Sequence, residues 1–399
     1  MRALIVDLLC NSPFYDAALV NSLRQAEVDV ELASPRFYLE PDYLDPYPRA
    51  PWLVDITVHC SRPRSLRLGT RAIEFAINSS RLLRAIKRGR YDVVHVEWIP
   101  LGDRQTIFMR RLRSTCDRAK VALVLTAHNV LPHDTQVDTR EVIRRNLDLA
   151  HLVIAHTEHV AHDLRDVLAA RSQVAVVPHG PLFADLELPP RQQAEAELGL
   201  GVHPVILFAG IVRPYKGIDL LTEAWPVVRD AFPEAVLVIA GRALGAEACE
   251  QLRKLEALPG VRVADGYVPM KAMLNYHAVS DVVVFPYRSI SQSGALMSAV
   301  GLGRPAVVTP IAGFIEQAAG LDSVVLADEV SGPAIARATI AALEDRVALL
   351  AKAADDRCRA MMSPTGWPAA GRETARQYHN AVAGIRGGGW NRSPGLVRE

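Results

Sequence analysis

The chain has 399 residues, of which 50% are hydrophobic and 22% charged, with 45 Lys and Arg against 44 Asp and Glu. That length predicts two domains, and that composition excludes a disordered chain. The near balance of charge excludes a global attraction to nucleic acid. No apolar run reaches the roughly 18–20 residues that span a bilayer. The N-terminal MRALIVDLLCNSPF lacks a signal-cleavage pattern and reads as a first strand. Cysteines stand at 10, 60, 116, 249 and 358 with no C-x-x-C, which argues against a disulfide framework or structural zinc and fits a reducing cytoplasm.

In chain order, short apolar runs recur with helical stretches between them. Ala3–Leu9, Val28–Ala33, Asp92–Trp98, Val121–Ala127, Leu152–His156 and Val174–Pro178 form one series. Val205–Gly210, Val236–Gly241, Val261–Ala264, Val282–Pro286, Ala306–Thr309 and Val324–Ala327 form another. The runs are continuous rather than alternating, so both faces of each strand are expected to be buried. Strands alternating with helices predict an α/β fold of two doubly wound parallel sheets. The break falls at Pro178–Leu188, followed by a short helix within RQQAEAELGLG. The expected division is 1–180, then 181–370, then a helix at 371–385 crossing back to the first domain, then a disordered tail at 386–399. From Arg62 to Lys120 there are 15 Lys and Arg but 5 Asp and Glu. Such a stretch suits a peripheral contact with anionic lipid or a phosphorylated acceptor, or is simply a solvated helix face.

Open parallel sheets bind ligands beyond the carboxyl ends of their strands. Two such domains joined by a linker predict a cleft with a donor on one side and an acceptor on the other. Three motifs follow strands in this way. In LFAGIVRPYKG, ending at Gly217, a strand gives way to a turn carrying Arg213 and Lys216. Two cations there suit a departing diphosphate, although surface residues at a helix start would look the same. The turn is not a P-loop, since G-x-x-x-x-G-K-[ST] is absent. In VVVFPYRSISQSGAL, residues Ser291, Gln292, Ser293 and Gly294 open a helix whose amides could hold phosphate, or form an ordinary capped turn. In VALVLTAHNVLPH, His128 and Asn129 follow a strand directly. A neutral His there can bond a sugar hydroxyl or move a proton near neutrality, or can be a satisfied turn residue. His128 and His133 are too poorly spaced, and lack a carboxylate cluster, to make a metal site.

At these three points the sequence resembles the family 4 glycosyltransferases, retaining enzymes of the GT-B architecture, over roughly residues 1–385. The residues carrying the resemblance are FAGIVRPYKGIDLLTEAW, the run from Gly266 through SDVVVFPYRSISQSGALMSAVGLGRPAVVTPIAGFIE, and LTAHNVLPH. The resemblance implies a nucleotide-sugar donor in the second domain, an acceptor in the first, and neither metal nor other cofactor. It implies that Arg213 and Lys216 bind the donor phosphates, and that Ser293, Gly294 and Ala295 supply amides to the distal phosphate. His128 would meet the transferred sugar near its anomeric carbon, with Asn129 beside it. Gly266–Pro269, including Tyr267 and Val268, would lie against the base, and Glu316 would border the donor pocket. The acceptor would be a glycan, glycolipid or small molecule in exopolysaccharide or lipid-linked glycan assembly, placing the enzyme in the cytoplasm or at the inner face of the membrane.

Two departures stand out. The family commonly has a pair of Glu in the second motif, where this chain has Gln292 and Ser298. The usual glycine-rich loop after the first strand is replaced by CNSPFYD, residues 10–16. The first departure keeps open a catalytically degenerate binding or partner subunit. A nucleotide-sugar epimerase or a nicotinamide oxidoreductase is a further alternative. The lack of G-x-G-x-x-G after Ala3–Leu9 counts against the dinucleotide version.

Overall fold

The computed structural model describes residues 1–59, 64–98, 103–128, 140–201, 203–363 and 365–387. Asn129, His133 and the tail beyond 387 lie outside the described residues. The chain folds as two units. One takes the described residues up to Pro178 and the stretch from Trp367 onward; the other takes His179–Gly366.

The first unit contains β1 (Arg2–Val6), α1 (Pro13–Gln25), β2 (Asp29–Ala33), α2 (Arg64–Lys87), β3 (Val93–Val96), α3 (Asp103–Ala119), β4 (Ala122–Thr126), α4 (Arg140–Leu147), β5 (Leu152–Ala155), α5 (Glu158–His162) and β6 (Gln173–Val176). The second contains α6 (Arg191–Leu198), β7 (Val205–Ala209), α7 (Ile218–Ala231), β8 (Val236–Ala240), α8 (Ala246–Glu256), β9 (Val261–Ala264), α9 (Met270–Val279), β10 (Val282–Phe285), α10 (Gly294–Gly301), β11 (Ala306–Val308), α11 (Ala312–Ala318), β12 (Val324–Leu326), α12 (Gly332–Glu344) and α13 (Arg346–Met362). The last helix, α14 (Trp367–Arg386), belongs to the first unit. Each of the twelve apolar runs read from the sequence contributes one of these strands.

Among the described residues the strands form two six-stranded parallel sheets, ordered β2-β1-β3-β4-β5-β6 and β12-β11-β10-β7-β8-β9. In the first sheet, Ala3 and Ile5 of β1 point to one core while Leu4 and Val6 point to the other. The same alternation runs through β3 and β4. Helices α2 to α5 cover the Leu4 face, and α1 and α14 cover the Ile5 face. Apolar side chains thus line both faces, which is why the sequence runs are unbroken.

Helix α14 begins at Trp367, with Pro368 in the first turn where a missing N–H is tolerated. It places Ala370, Ala375, Tyr378, Ala381 and Val382 in the core on that face. It lies close against α1: a Cβ on Gly371 would sit 2.3 Å from the Ser22 carbonyl oxygen.

Each sheet has one place where its strand order reverses. In the first it lies between β1 and β3, and in the second between β7 and β10. Loops leaving the two central strands there run in opposite directions and open a crevice for a ligand.

Gly371→Ala should overpack the α1–α14 contact and lower unfolding free energy by about 1–3 kcal/mol. Urea unfolding followed by circular dichroism checks this as a fall in midpoint.

Candidate functional site

In the second unit, β7 ends at Ala209 and the chain turns through Pro214–Lys216 into α7. Gly217 makes this turn possible. Its φ is +71°, and a Cβ there would sit 1.9 Å from the Pro286 carbonyl oxygen. Only glycine lets the turn press this closely on the end of β10. The consequence is that Lys216 lies over the ring of Tyr287, its Nζ 5.1 Å from the centroid, a cation–π contact. Arg213, half-buried, begins the same turn.

The two switch-point loops are also tied by polar contacts. The Arg288 N–H donates to the Tyr215 carbonyl at 2.7 Å, and the Arg288 guanidinium pairs with Asp219 at the start of α7. Arg288 is thereby paired with the carboxylate at the start of α7, while Arg213 and Lys216 flank the turn itself.

Ser293 is the N-cap of α10, its hydroxyl accepting from Leu296 N–H at 3.1 Å. The Ser293 N–H itself donates to the Gln317 side chain at 2.7 Å. Gly294 and Ala295 then supply the first-turn amides that a helix leaves for an outside acceptor. Gln292 is buried beside them. The approach of α11 is close here as well, since a Cβ on Gly313 would lie 2.4 Å from the Ile290 carbonyl oxygen. That brings Gln317 to the same loop, with Glu316 preceding it on α11. Tyr267 and Val268 follow β9, two strands away from β7 on the same edge of the sheet. Ser298 turns back on its own helix, its hydroxyl donating to the Gly294 carbonyl at 2.8 Å.

In the first unit, polar side chains gather at the matching edge. Asp7, directly after β1, accepts from the N–H groups of Leu9, Asn11 and Ser12, which closes the CNSPF loop over the start of α1. Burial still raises the Asp7 pKa against those bonds. Asp16 in the first turn of α1 is also buried, and desolvation with the nearby Asp7 and Glu97 carboxyls pushes it well up. Trp98, two residues past β3, donates from Nε1 to the Ser12 hydroxyl at 2.6 Å. A shallow depression lies at the β1/β3 switch point between Asp7, Asn11, Phe75, Trp98 and Phe108.

His128 sits at this edge, buried two residues past β4. Trp98 stacks on its ring at 4.9 Å between centroids and 13° between planes, and Tyr15 meets it edge-on at 4.7 Å. Its Nε2 lies 3.1 Å from Glu97 Oε2. Desolvation lowers the His128 pKa to about 4, with Asp7 opposing the shift.

The structure therefore groups Arg213, Lys216, Gln292, Ser293, Gly294, Ala295 and Glu316 within one unit, with Tyr267 and Val268 farther along its edge, and places His128 in the other unit. Sequence reasoning missed Asp7, Tyr15, Glu97, Trp98 and Gln317. One signal was legible: His95 and Glu97 interrupt an apolar run that is otherwise fully buried.

Comparison with known proteins bears on both units. A family model described as Glycosyltransferase Family 4 matches residues 17–180, and one described as Glycosyl transferases group 1 matches 203–345. The chain is 26% identical to a D-inositol 3-phosphate glycosyltransferase of Jonesia denitrificans, over 57% of this chain and 57% of the relative. It is 27% identical to a GDP-mannose:glycolipid 4-beta-D-mannosyltransferase of Xanthomonas campestris pv. campestris, over 54% of this chain and 60% of the relative. The matches thus span less than two thirds of those relatives. Among solved structures, sucrose-phosphate synthase of Thermosynechococcus elongatus superimposes with a TM-score of 0.67 at 17% identity, covering 96% of this chain and 99% of that one. HepE of Anabaena, solved with UDP and glucose, gives 0.70 at 15% identity, covering 95% and 100%. These likenesses show the fold, the GT-B architecture.

A ring with so low a pKa stays uncharged throughout the neutral range. The His128 carbon-bound ring protons should hold constant shifts from pH 8 down to about 5.5. An NMR titration, with the signal identified by its loss in His128→Asn, checks this; a midpoint near 6.5 would contradict it.

Proposed function

The chain belongs to the family 4 glycosyltransferases, and from that premise we propose that it moves a hexosyl group from a UDP- or GDP-linked sugar to an acceptor hydroxyl, with retention at the anomeric carbon. The observation that carries this reading is the grouping at the β7/β10 crevice. There Lys216 lies over Tyr287, Arg213 shares its turn, and α10 opens beside them.

As the bond from the anomeric carbon to the diphosphate breaks, negative charge grows on the departing oxygen. Cations and amides fixed beforehand stabilise that charge without reorganising. The acceptor oxygen bonds to the carbon on the face the diphosphate leaves, and its proton passes to the leaving phosphate. With the phosphates at β7/β10, the nucleoside runs toward β9, two strands or about 10 Å away, where Tyr267 and Val268 meet the base. In this reading Gln292 bonds sugar hydroxyls, Glu316 borders the donor, and His128 meets the transferred sugar.

The acceptor lies in the first unit, at the depression between Asp7 and the aromatic rings of Phe75, Trp98 and Phe108. We assign it to the glycan or glycolipid class. Helix α2 presents an exposed stripe that is apolar at Leu68, Ala72, Ile73 and Ala76 and basic farther on at Arg84 and Lys87. Among the described residues no helix is long and apolar enough to cross a membrane. The stripe suits lying on an anionic surface, apolar groups in the headgroup layer and cations against lipid charge. A second reading, a partner subunit that binds the donor without transferring it, is favoured by one observation. Ser298, standing where the family commonly has a Glu, is turned onto its own helix.

Lys216→Ala should lower kcat/KM by roughly 10²–10³-fold with an unchanged unfolding midpoint. The assay follows UDP or GDP release from a panel of sugar donors. Near-normal turnover would remove the reading, and tight nucleotide binding by calorimetry with no transfer would favour the partner subunit.

Co-sedimentation tests the membrane contact. The chain should pellet with phosphatidylglycerol vesicles and not with phosphatidylcholine, and less so as salt rises. Leu68→Glu with Ile73→Glu should abolish pelleting; equal recovery with both lipids would contradict it.

A further inference from the structure

Behind His128 runs a buried polar chain through Glu97, His95 and Tyr378, none of which belongs to the motifs named above. Glu97, fully buried just past β3, places Oε2 3.1 Å from His128 Nε2 and Oε1 3.4 Å from His95 Nε2. His95 stands on β3 opposite Val124, on the face covered by α1 and α14. Its Nε2 lies 2.7 Å from the Thr126 hydroxyl, and its Nδ1 lies 2.6 Å from the hydroxyl of Tyr378 on α14. The line therefore runs from α14 through two strands to the His128 ring.

We propose that Glu97 is the positioning residue of His128: its carboxylate accepts from Nε2–H and fixes the tautomer in which Nδ1 carries the lone pair, while Tyr378 and Thr126 hold the His95 ring beside it. The proposal deepens the reading in which His128 meets the transferred sugar, and rests on it. A neutral imidazole has one donor and one acceptor nitrogen, and a carboxylate can only accept. The partner at Nε2 thus decides what Nδ1 offers. With Glu97 ionised, the lone pair stands on Nδ1 and the proton on Nε2.

The rest of the line is consistent in direction. The Tyr378 O–H donates to His95 Nδ1. His95 then carries its proton on Nε2 and donates it to the Thr126 hydroxyl, with Glu97 Oε1 3.4 Å from the same nitrogen. The ring has little freedom to turn, being stacked by Trp98 and edged by Tyr15. Burial pulls Glu97 toward its protonated form, and His95 and Thr126 oppose that pull. Were Glu97 protonated instead, it would donate to Nε2 and the imidazole proton would sit on Nδ1. The two cases are opposite tautomers, so one measurement separates them.

The test is a long-range proton–nitrogen correlation spectrum of the full chain labelled with ¹⁵N-histidine, without sugar donor, with His128 identified through His128→Asn. The expected spectrum has the proton on Nε2. In Glu97→Gln that signature should be lost or mixed, and kcat should fall about 10²-fold while the donor KM stays within about twofold. Tyr378→Phe removes one hydroxyl and should alter the His95 signal with a smaller fall in kcat. A wild-type His128 protonated on Nδ1 would overturn the proposal, as would a Glu97→Gln chain with unchanged tautomer and kcat. If Glu97→Gln fails to fold, the wild-type spectrum still decides. An Nε2-protonated ring that shifts in Glu97→Gln, in a chain that transfers no sugar, would uphold the positioning role and remove the functional reading instead.

Discussion

A strand covered by helices on both faces offers no partner to a polar side chain along its length. In these two sheets that constraint drives nearly every chemically able group to the strand ends. Asp7, Glu97, Trp98 and His128 all stand within two residues of where β1, β3 or β4 stops. Lys216 and Ser293 stand in the turns that follow β7 and β10. His95 is buried inside β3, and it is tolerated there because Tyr378 and Thr126 satisfy both ring nitrogens. An unpaired imidazole there would cost its full desolvation.

In the second unit the turns of the proposed donor site are packed tightly by their own residues. Gly217 brings one loop against the carbonyl of Pro286, Gly313 brings α11 against Ile290, and Arg288 ties the two switch-point loops by main chain and side chain. None of these groups needs to touch a phosphate to matter. Each fixes where Lys216 and the α10 amides stand, and electrostatic stabilisation is worth most when the dipoles and charges need not move.

The first unit depends on the end of the chain. Without α14, the Ile5 face of its sheet would lack Ala370, Ala375, Tyr378, Ala381 and Val382 from its core. The helix is therefore structural first. Its Tyr378 hydroxyl also enters the polar line behind His128, so the seat of the helix and the setting of that ring share one set of contacts.

Much of this architecture was readable from residue order alone. Twelve apolar runs separated by helical stretches mark twelve strands, but only the inner ones are buried along most of their length; the edge strands β6, β9 and β12 are partly exposed, because an edge strand lacks a neighbour on one side and full helix cover. The placing of Arg213, Lys216 and Ser293 just after strands was equally local, since a turn's composition shows in a few consecutive residues. What the residue order could not show is which distant groups meet. Glu97 and His128 are 31 positions apart, and His95 and Tyr378 are 283 apart. The strand order β1-β3-β4 puts the first pair at one edge, and the return of α14 to that sheet makes the second. Pairings of this kind are set by how helices and strands pack, and packing sums over the whole chain, whereas a motif records only its own neighbourhood.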